Sequence, residues 1–172
     1  MNIPNILTTL RVLLIPVFIF FFCSDLAYGH VVAMVIFVVA SLTDFLDGYL
    51  ARKWNLVSNF GKIMDPFADK LLVLTALIYL AIEGTIPGWI VVVIIGRDLL
   101  VTSLRALAGE HGIIVAARNL GKYKTATQMV SIILLILGIH FIGMILLYIA
   151  VALTIISLVD YVMQLSKSLD FN

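Results

Sequence analysis

Six long apolar segments separated by short breaks constrain the fold of this 172-residue chain more than any other feature. The breaks are rich in Gly, Asn, Ser or Pro, which interrupt helices. A helix needs about 20 apolar residues to cross a bilayer. Only 12% of the residues are charged, against about 25% in soluble domains. The sequence therefore predicts an all-α integral membrane protein, a single domain over 1–172, with six transmembrane helices at about 6–24, 30–52, 61–82, 87–109, 122–139 and 142–165.

The positions of the basic residues predict how these helices are oriented. Lys and Arg occur around the connections between helices 2 and 3 and between helices 4 and 5, and again after helix 6. The opposite loops, around Asp25, Glu83 and His140, contain neither. Because cytoplasmic loops carry an excess of Lys and Arg, we expect a multi-pass protein of the inner (cytoplasmic) membrane with both termini facing the cytoplasm. The net charge of +1 predicts no nucleic-acid partner.

Four aspartates lie in the stretch SLTDFLDGYLARKWNLVSNFGKIMDPFADK, at the predicted cytoplasmic ends of helices 2 and 3. Asp44 and Asp47 are three residues apart, and Asp65 and Asp69 are four apart, so each pair shares a helix face. A short connection makes the two helices antiparallel neighbours, which brings the four carboxylates together. Their charges need neutralisation, since an ionised side chain costs roughly 2.5–3.5 kcal/mol at the bilayer centre. Two divalent cations would cancel them, and all-oxygen ligation selects Mg²⁺ or Mn²⁺.

Small residues accompany these aspartates. Gly48 follows Asp47, and Gly61 lies one turn before Asp65. A glycine inside a helix costs about 1 kcal/mol relative to alanine and is tolerated where the backbone approaches a ligand closely. Gly48, Ala51 and Gly61 are therefore expected to leave a slot beside the metal ions. The alternative, that each aspartate only anchors a helix end, does not explain the combined spacing.

The pattern D-x2-D-G-x2-A-R-x8-G-x3-D-x3-D, which runs from Asp44 to Asp69, resembles the signature of the CDP-alcohol phosphatidyltransferases. The segments NIPNILTTLRVLLIP, GRDLLVTSLRALAGEHG and LGKYKTATQM are similar to the bacterial branch of that family that uses sn-glycerol 3-phosphate. The resemblance covers nearly the whole chain. It implies transfer of the phosphatidyl group from CDP-diacylglycerol to sn-glycerol 3-phosphate with release of CMP. It also implies a six-helix homodimer with a polar cavity open to the cytosol.

The resemblance further implies roles for the residues of the signature. Asp44, Asp47 and Asp65 bind the metal ions, and Asp69 is the general base and a fourth candidate ligand. The cytidine diphosphate part of CDP-diacylglycerol is contacted by Gly48, Ala51, Arg52 and Gly61. The transfer is an in-line displacement at phosphorus, in which two metal ions stabilise the leaving group. Asp69 takes the proton of the attacking alcohol.

An acceptor phosphate needs cations of its own in a cavity rich in carboxylates. Arg97 and Arg105 lie eight residues apart on helix 4, close to one face, and an arginine inside a span is expected to face a polar cavity. The candidate ligands of the acceptor phosphate are Arg105, Arg118, Lys122 and Arg97. Two other interpretations stay open. Lys122 and Lys124 would then only mark the cytoplasmic side, and Arg97 would pair only with Asp98 or a neighbouring helix.

Other functions stay open as well. Within the same family, cardiolipin synthase would use phosphatidylglycerol as the acceptor, and another branch would use inositol phosphate. A transporter or channel is the main alternative of a different class, but the aspartates lie at one membrane face rather than along the full depth. The outer halves of the helices carry no polar path, and no inverted repeat is visible in the sequence. A purely structural membrane subunit is a further alternative.

Overall fold

The computed structural model of the chain describes residues 3–54, 59–110 and 119–169, with side-chain environments for 9–43, 67–68, 70–109 and 119–166. All regular secondary structure in these residues is helical. It consists of α1 (Ile3–Phe22), α2 (Gly29–Trp54), α3 (Asn59–Ile82), α4 (Gly88–Glu110), α5 (Asn119–Ile136) and α6 (His140–Leu169). The prediction of an all-α chain with six helices is confirmed, and every helix end lies within four residues of its predicted position.

The helices form a bundle in which consecutive helices run in alternating directions, as short connections require. Helix α1 packs against α2 and α3, and α5 packs along α6. Helix α4 runs parallel to α6. Arg97 of α4 contacts Ser157 of α6. Arg105, eight residues later on α4, contacts Tyr161, which lies four residues later on α6. This arrangement brings the helix ends that flank the two predicted cytoplasmic connections, the C-terminal ends of α2 and α4 and the N-terminal ends of α3 and α5, to the same end of the bundle.

An apolar core holds the first three helices together. Phe18 and Phe22 of α1 pack against each other, and Phe18 also packs against Phe37 of α2. Two alanines, Ala40 on α2 and Ala76 on α3, are fully buried. Small side chains let helix backbones approach closely, which is how helices pack in membranes. The core thus fixes α2 and α3, the two helices that carry the four aspartates.

In the described part of the chain, one helix is long and apolar enough to cross a membrane, over His140–Ser166 with a mean hydropathy of 2.7. Shorter apolar helical stretches cover Thr9–Phe22, Gly29–Thr43 and Lys70–Ile82. Helices α4 and α5 are interrupted by charged or polar side chains, such as Asp98 on α4. Polar and ionisable residues within such helices mark a functional site rather than a lipid-facing surface. The count of six spans stays a prediction.

Two glycines near the turn between α5 and α6 have different roles. The sequence predicts the break near Gly138–Gly143, and the structure places it at residues 137–139. Gly138 has a φ of 77°, and its N–H donates to the carbonyl of Leu135, which is typical of a glycine just after a helix end. Gly143 instead lies inside α6, where an added Cβ would be 2.8 Å from the side chain of Leu135. Gly143 is therefore a packing residue and not a helix break.

Candidate active site

The backbone places the four predicted metal ligands on two neighbouring helices. Asp44 and Asp47 lie in the second half of α2, and Asp65 and Asp69 lie in the first half of α3. The two helices are antiparallel and pack against each other. This agrees with the helix placement that the sequence predicts.

The side chains of this signature lie outside the described residues, which applies to Asp44, Asp47, Asp65, Asp69, Gly48, Ala51, Arg52 and Gly61. Among the side chains that are described, no three His, Cys, Asp or Glu residues come together as a metal site. Metal ligation by the aspartates and the contacts to CDP-diacylglycerol therefore stay predictions.

A cavity of about 330 Å³ lies beside the aspartate-bearing segments. Ser41, which lines it, is three residues before Asp44, and Lys70, which also lines it, directly follows Asp69. Its walls come from five helices, α1 to α5, and most of them are apolar. The charged side chains that line it are Arg11, Lys70, Arg97, Asp98 and Lys124. The described lining thus combines four cations with a single carboxylate, so it favours an anion.

Asp98 of α4 holds two of these cations. The Nζ of Lys124 on α5 donates to both carboxylate oxygens of Asp98, at 2.9 Å each. The Nη1 of Arg97 donates to Oδ1 of Asp98 at 3.0 Å, and its Nη2 donates to the hydroxyl of Ser157 on α6 at 3.0 Å. Charge-assisted hydrogen bonds of this kind are the stronger ones in proteins. They fix the two cations at the point where α4, α5 and α6 meet.

The other two cations tie α1 and α3 to the same cavity. Arg11 of α1 is only 1% exposed, and its Nε donates to the carbonyl of Ala40 on α2 at 3.3 Å. Lys70 of α3 donates to the hydroxyl of Thr102 and to the carbonyl oxygen of Asp98, both on α4. A buried arginine is costly in an apolar bundle unless it has polar partners or a polar ligand.

Two polar atoms of side chains that line the cavity have no hydrogen-bond partner among the described residues. They are Oε1 of Gln128 and Nε of Arg97. Gln128 is 3% exposed and lies four residues after Lys124 on α5, so the two side chains share one helix face. A buried polar group without a partner costs about 1–3 kcal/mol. A polar ligand or a water molecule in the cavity would satisfy these atoms.

The remaining candidates for the acceptor phosphate lie outside this lining. Arg105 is exposed, and its guanidinium carbon lies 5.9 Å from the ring centroid of Tyr161 on α6. Lys122 is exposed on α5. Arg118 lies outside the described residues. Of the four predicted ligands, Arg97 is the one that lines the cavity. It pairs with Asp98 and with Ser157 of α6, as the alternative interpretation expects, and the phosphate-binding roles of all four stay predictions.

The family of the chain follows from its similarity to known proteins. Residues 1–156 match the family described as CDP-alcohol phosphatidyltransferase. The chain belongs to this family. The resemblance of the sequence motif is thereby confirmed, and the chain is a transferase. As a CDP-alcohol phosphatidyltransferase with a strongly apolar α6, it is a membrane-associated biosynthetic enzyme.

Curated relatives align with this CDP-alcohol phosphatidyltransferase over most of its length. A CDP-diacylglycerol–glycerol-3-phosphate 3-phosphatidyltransferase of Bacillus subtilis is 43% identical over 148 residues, which are 79% of this chain and 77% of the relative. The protein of the same name from Rickettsia typhi is 40% identical over 168 residues, 93% of this chain and 94% of the relative. That of Salmonella paratyphi A is 37% identical over 169 residues, 93% of this chain and 92% of the relative.

Sequence reasoning missed several side chains that line the cavity of the transferase. They are Arg11, Lys70, Asp98, Lys124 and Gln128. A signal was present in the sequence, because a lysine and a glutamine four residues apart share one face of the otherwise apolar α5. An ionisable side chain within such a helix is a functional candidate. The sequence leaves open whether Lys124 only marks the cytoplasmic side, and its burial does not support that interpretation.

Proposed function

We propose that this enzyme transfers the phosphatidyl group of CDP-diacylglycerol to sn-glycerol 3-phosphate, which forms phosphatidylglycerol phosphate and releases CMP. The observation that carries the proposal is the cationic cavity next to the helix segments that hold the aspartates. The names of the relatives from three bacteria agree with this activity. A water-soluble phosphate acceptor explains why a membrane-associated chain has a cavity lined by cations.

The acceptor phosphate fits the charge of the cavity. It is a dianion, and the four cations of the described lining exceed the single carboxylate. Arg97 presents a planar guanidinium that suits phosphate oxygens, and Lys124 adds a compact charge beside it. The walls around them are apolar, which strengthens the attraction between opposite charges. We infer that Arg97 and Lys124 contact the phosphate, and that Arg105, Arg118 and Lys122 complete the site from the cytoplasmic end.

The four aspartates fit two hard divalent cations, because carboxylate oxygen is the ligand type that Mg²⁺ and Mn²⁺ prefer. Asp44, Asp47 and Asp65 would hold the ions, with Asp69 as a further ligand. When bound, the two ions would neutralise the pyrophosphate oxygens and the charge of the departing CMP. Gly48, Ala51, Arg52 and Gly61 would bind the cytidine diphosphate part of the donor.

The reaction is then a single displacement at phosphorus. The primary hydroxyl oxygen of the acceptor attacks the phosphorus that carries the diacylglycerol, and the bond from this phosphorus to the oxygen of CMP breaks. Asp69 accepts the hydroxyl proton. The protein mainly positions the two substrates and stabilises charge. A single displacement inverts the configuration at phosphorus.

We further propose that all six helices span the inner membrane, with both termini and the active site at the cytoplasmic face. The distribution of Lys and Arg supports this orientation. Large apolar side chains are exposed along the bundle, including Phe20 of α1, Val92 of α4 and Phe141 of α6, as lipid contact requires. By resemblance to its family, the enzyme is proposed to act as a homodimer.

A comparison of acceptors tests the proposal. Enzyme purified in nanodiscs is given CDP-diacylglycerol with Mg²⁺ and with sn-glycerol 3-phosphate, phosphatidylglycerol or inositol phosphate, and CMP release is measured. We expect release with sn-glycerol 3-phosphate and little with the other two. A preference for phosphatidylglycerol would instead identify a cardiolipin synthase of the same family.

A further inference from the structure

The buried carboxamide of Gln128 is a feature that the charges of the cavity do not explain. Gln128 lies on α5, one turn after Lys124, and both residues are 3% exposed. Lys124 has a partner, since its ammonium donates to Asp98. The Oε1 of Gln128 has no donor within the described structure. With the amide oriented as in the structure, an ionised phosphate cannot supply one, because it only accepts hydrogen bonds.

A ligand that satisfies this part of the cavity carries two different groups. One is an anion that receives hydrogen bonds from Arg97 and Lys124. The other is a hydroxyl that meets Gln128. Side chains four residues apart on a helix have Cβ atoms about 5–6 Å apart, so one small ligand can contact both. A hydroxyl both donates and accepts, so it pairs with the carboxamide in either orientation of the amide.

We propose that Gln128 binds the non-reacting secondary hydroxyl of a small phosphorylated polyol, and that this contact makes the enzyme specific for such acceptors. The inference rests on the proposed function, in which sn-glycerol 3-phosphate brings a phosphate, a reacting primary hydroxyl and a secondary hydroxyl. Gln128 is then a specificity-determining residue. It takes no part in the proton transfer.

The test uses an acceptor that lacks only the secondary hydroxyl, 3-hydroxypropyl phosphate. It keeps the phosphate and the primary hydroxyl that reacts. The kcat/KM of the wild-type enzyme for sn-glycerol 3-phosphate should be at least about tenfold higher than that for 3-hydroxypropyl phosphate. The analogue has no secondary hydroxyl, so it leaves the buried Gln128 without a hydrogen-bond partner. Equal use of both acceptors by the wild-type enzyme would overturn the inference without any variant.

Gln128→Met supplies the second arm, since methionine has a similar length and no hydrogen-bonding amide. Its kcat/KM for sn-glycerol 3-phosphate should fall about tenfold, mainly through KM, whereas that for 3-hydroxypropyl phosphate should stay the same or rise. Gln128→Asn keeps the carboxamide and should retain part of the discrimination. Thr127→Val is the matched control, because Thr127 is the neighbouring residue on α5 and lies outside the described lining. It should behave as the wild type.

The outcomes separate this inference from the proposed function. If Gln128→Met loses activity equally with both acceptors, or keeps the wild-type preference, Gln128 does not bind the secondary hydroxyl. The proposed function would still hold as long as the wild-type enzyme uses sn-glycerol 3-phosphate. If the wild-type enzyme uses neither phosphate but accepts phosphatidylglycerol, the proposed function itself fails. The KM for CDP-diacylglycerol should be unchanged in every variant, and a changed value would mean that the substitution disturbs the donor site.

Discussion

Asp98 organises the cations of the cavity. Its carboxylate accepts hydrogen bonds from Lys124 and Arg97, and its carbonyl oxygen accepts one from Lys70. A buried ammonium is costly without a counter-charge, and the carboxylate of Asp98 supplies one to Lys124. The Nε of Arg97 is buried and has no hydrogen-bond partner in the described residues.

Replacing Lys124 should weaken binding of the acceptor, sn-glycerol 3-phosphate, and leave binding of the donor, CDP-diacylglycerol, unchanged. Lys124→Gln removes a charged hydrogen bond, which is worth roughly 1.5–3 kcal/mol. We therefore expect the KM for sn-glycerol 3-phosphate to rise about tenfold or more in steady-state assays, with little change in the KM for CDP-diacylglycerol. Lys124→Arg keeps the charge and should recover part of the loss. An unchanged acceptor KM in Lys124→Gln would remove Lys124 from the phosphate site.

Helices α2 and α3 bring the four aspartates to one end of the bundle. Each pair occupies one helix face, and the two helices are antiparallel neighbours. The connection between them is short in the sequence. The proposed metal binding would therefore depend on the helix pair as well as on its carboxylates, and changing one aspartate at a time tests it.

Single Asp→Asn changes at Asp44, Asp47 or Asp65 should each abolish CMP release, because the loss of one carboxylate unbalances a site for two divalent cations. EDTA should inactivate the wild-type enzyme, and Mg²⁺ or Mn²⁺ should restore it. Asp25→Asn, at the opposite end of the bundle, is the control and should keep full activity. Full activity in any one of the three variants would show that its aspartate does not bind metal.

The close packing of α5 on α6 depends on Gly143. Its carbonyl accepts a hydrogen bond from Ser131 at 2.8 Å, and the side chain of Leu135 fills the space where a Cβ would lie. Gly143→Ala should lower the stability in detergent by about 1–3 kcal/mol, since overpacking forces neighbours to shift. Gly96→Ala on α4 meets no atom within 4 Å and should be neutral or stabilising. Thermal unfolding of both variants measures the difference, and equal unfolding temperatures would argue against close packing at Gly143.

The bundle as a whole offers a direct test of its orientation in the membrane. Cys23 is the single cysteine of the chain, and it is exposed in the connection between α1 and α2. In the proposed orientation this connection faces away from the cytoplasm. A membrane-impermeant maleimide should therefore label Cys23 in spheroplasts without lysis.

A matched variant completes the orientation test. Cys23→Ser combined with Ser58→Cys moves the thiol to the connection between α2 and α3, which should be labelled only after lysis. The reverse pattern would invert the proposed topology and place the aspartates at the other face.

The sequence alone determined the helices, the family and the aspartate signature. Six apolar segments of suitable length predict six helices because the bilayer length and the helix rise are fixed. The spacings of Asp44, Asp47, Asp65 and Asp69 place each pair on one helix face for the same geometric reason. Local periodicity carries both results, so neither requires knowledge of how the helices pack.

Only the tertiary structure decided which cations share a cavity. Arg11, Lys70 and Lys124 come from three helices that are far apart in the sequence, and they converge because each helix is rotated about its axis to bury its own apolar side chains. That rotation depends on packing against neighbours, as at Phe18 and Phe37, and a single-helix pattern does not specify it. Lys122 and Lys124 are basic residues of the same helix turn, but Lys122 is exposed and Lys124 is buried against Asp98 of α4. Only the rotation of α5 relative to α4 decides that Lys122 lies on the surface and that Lys124 lines the cavity.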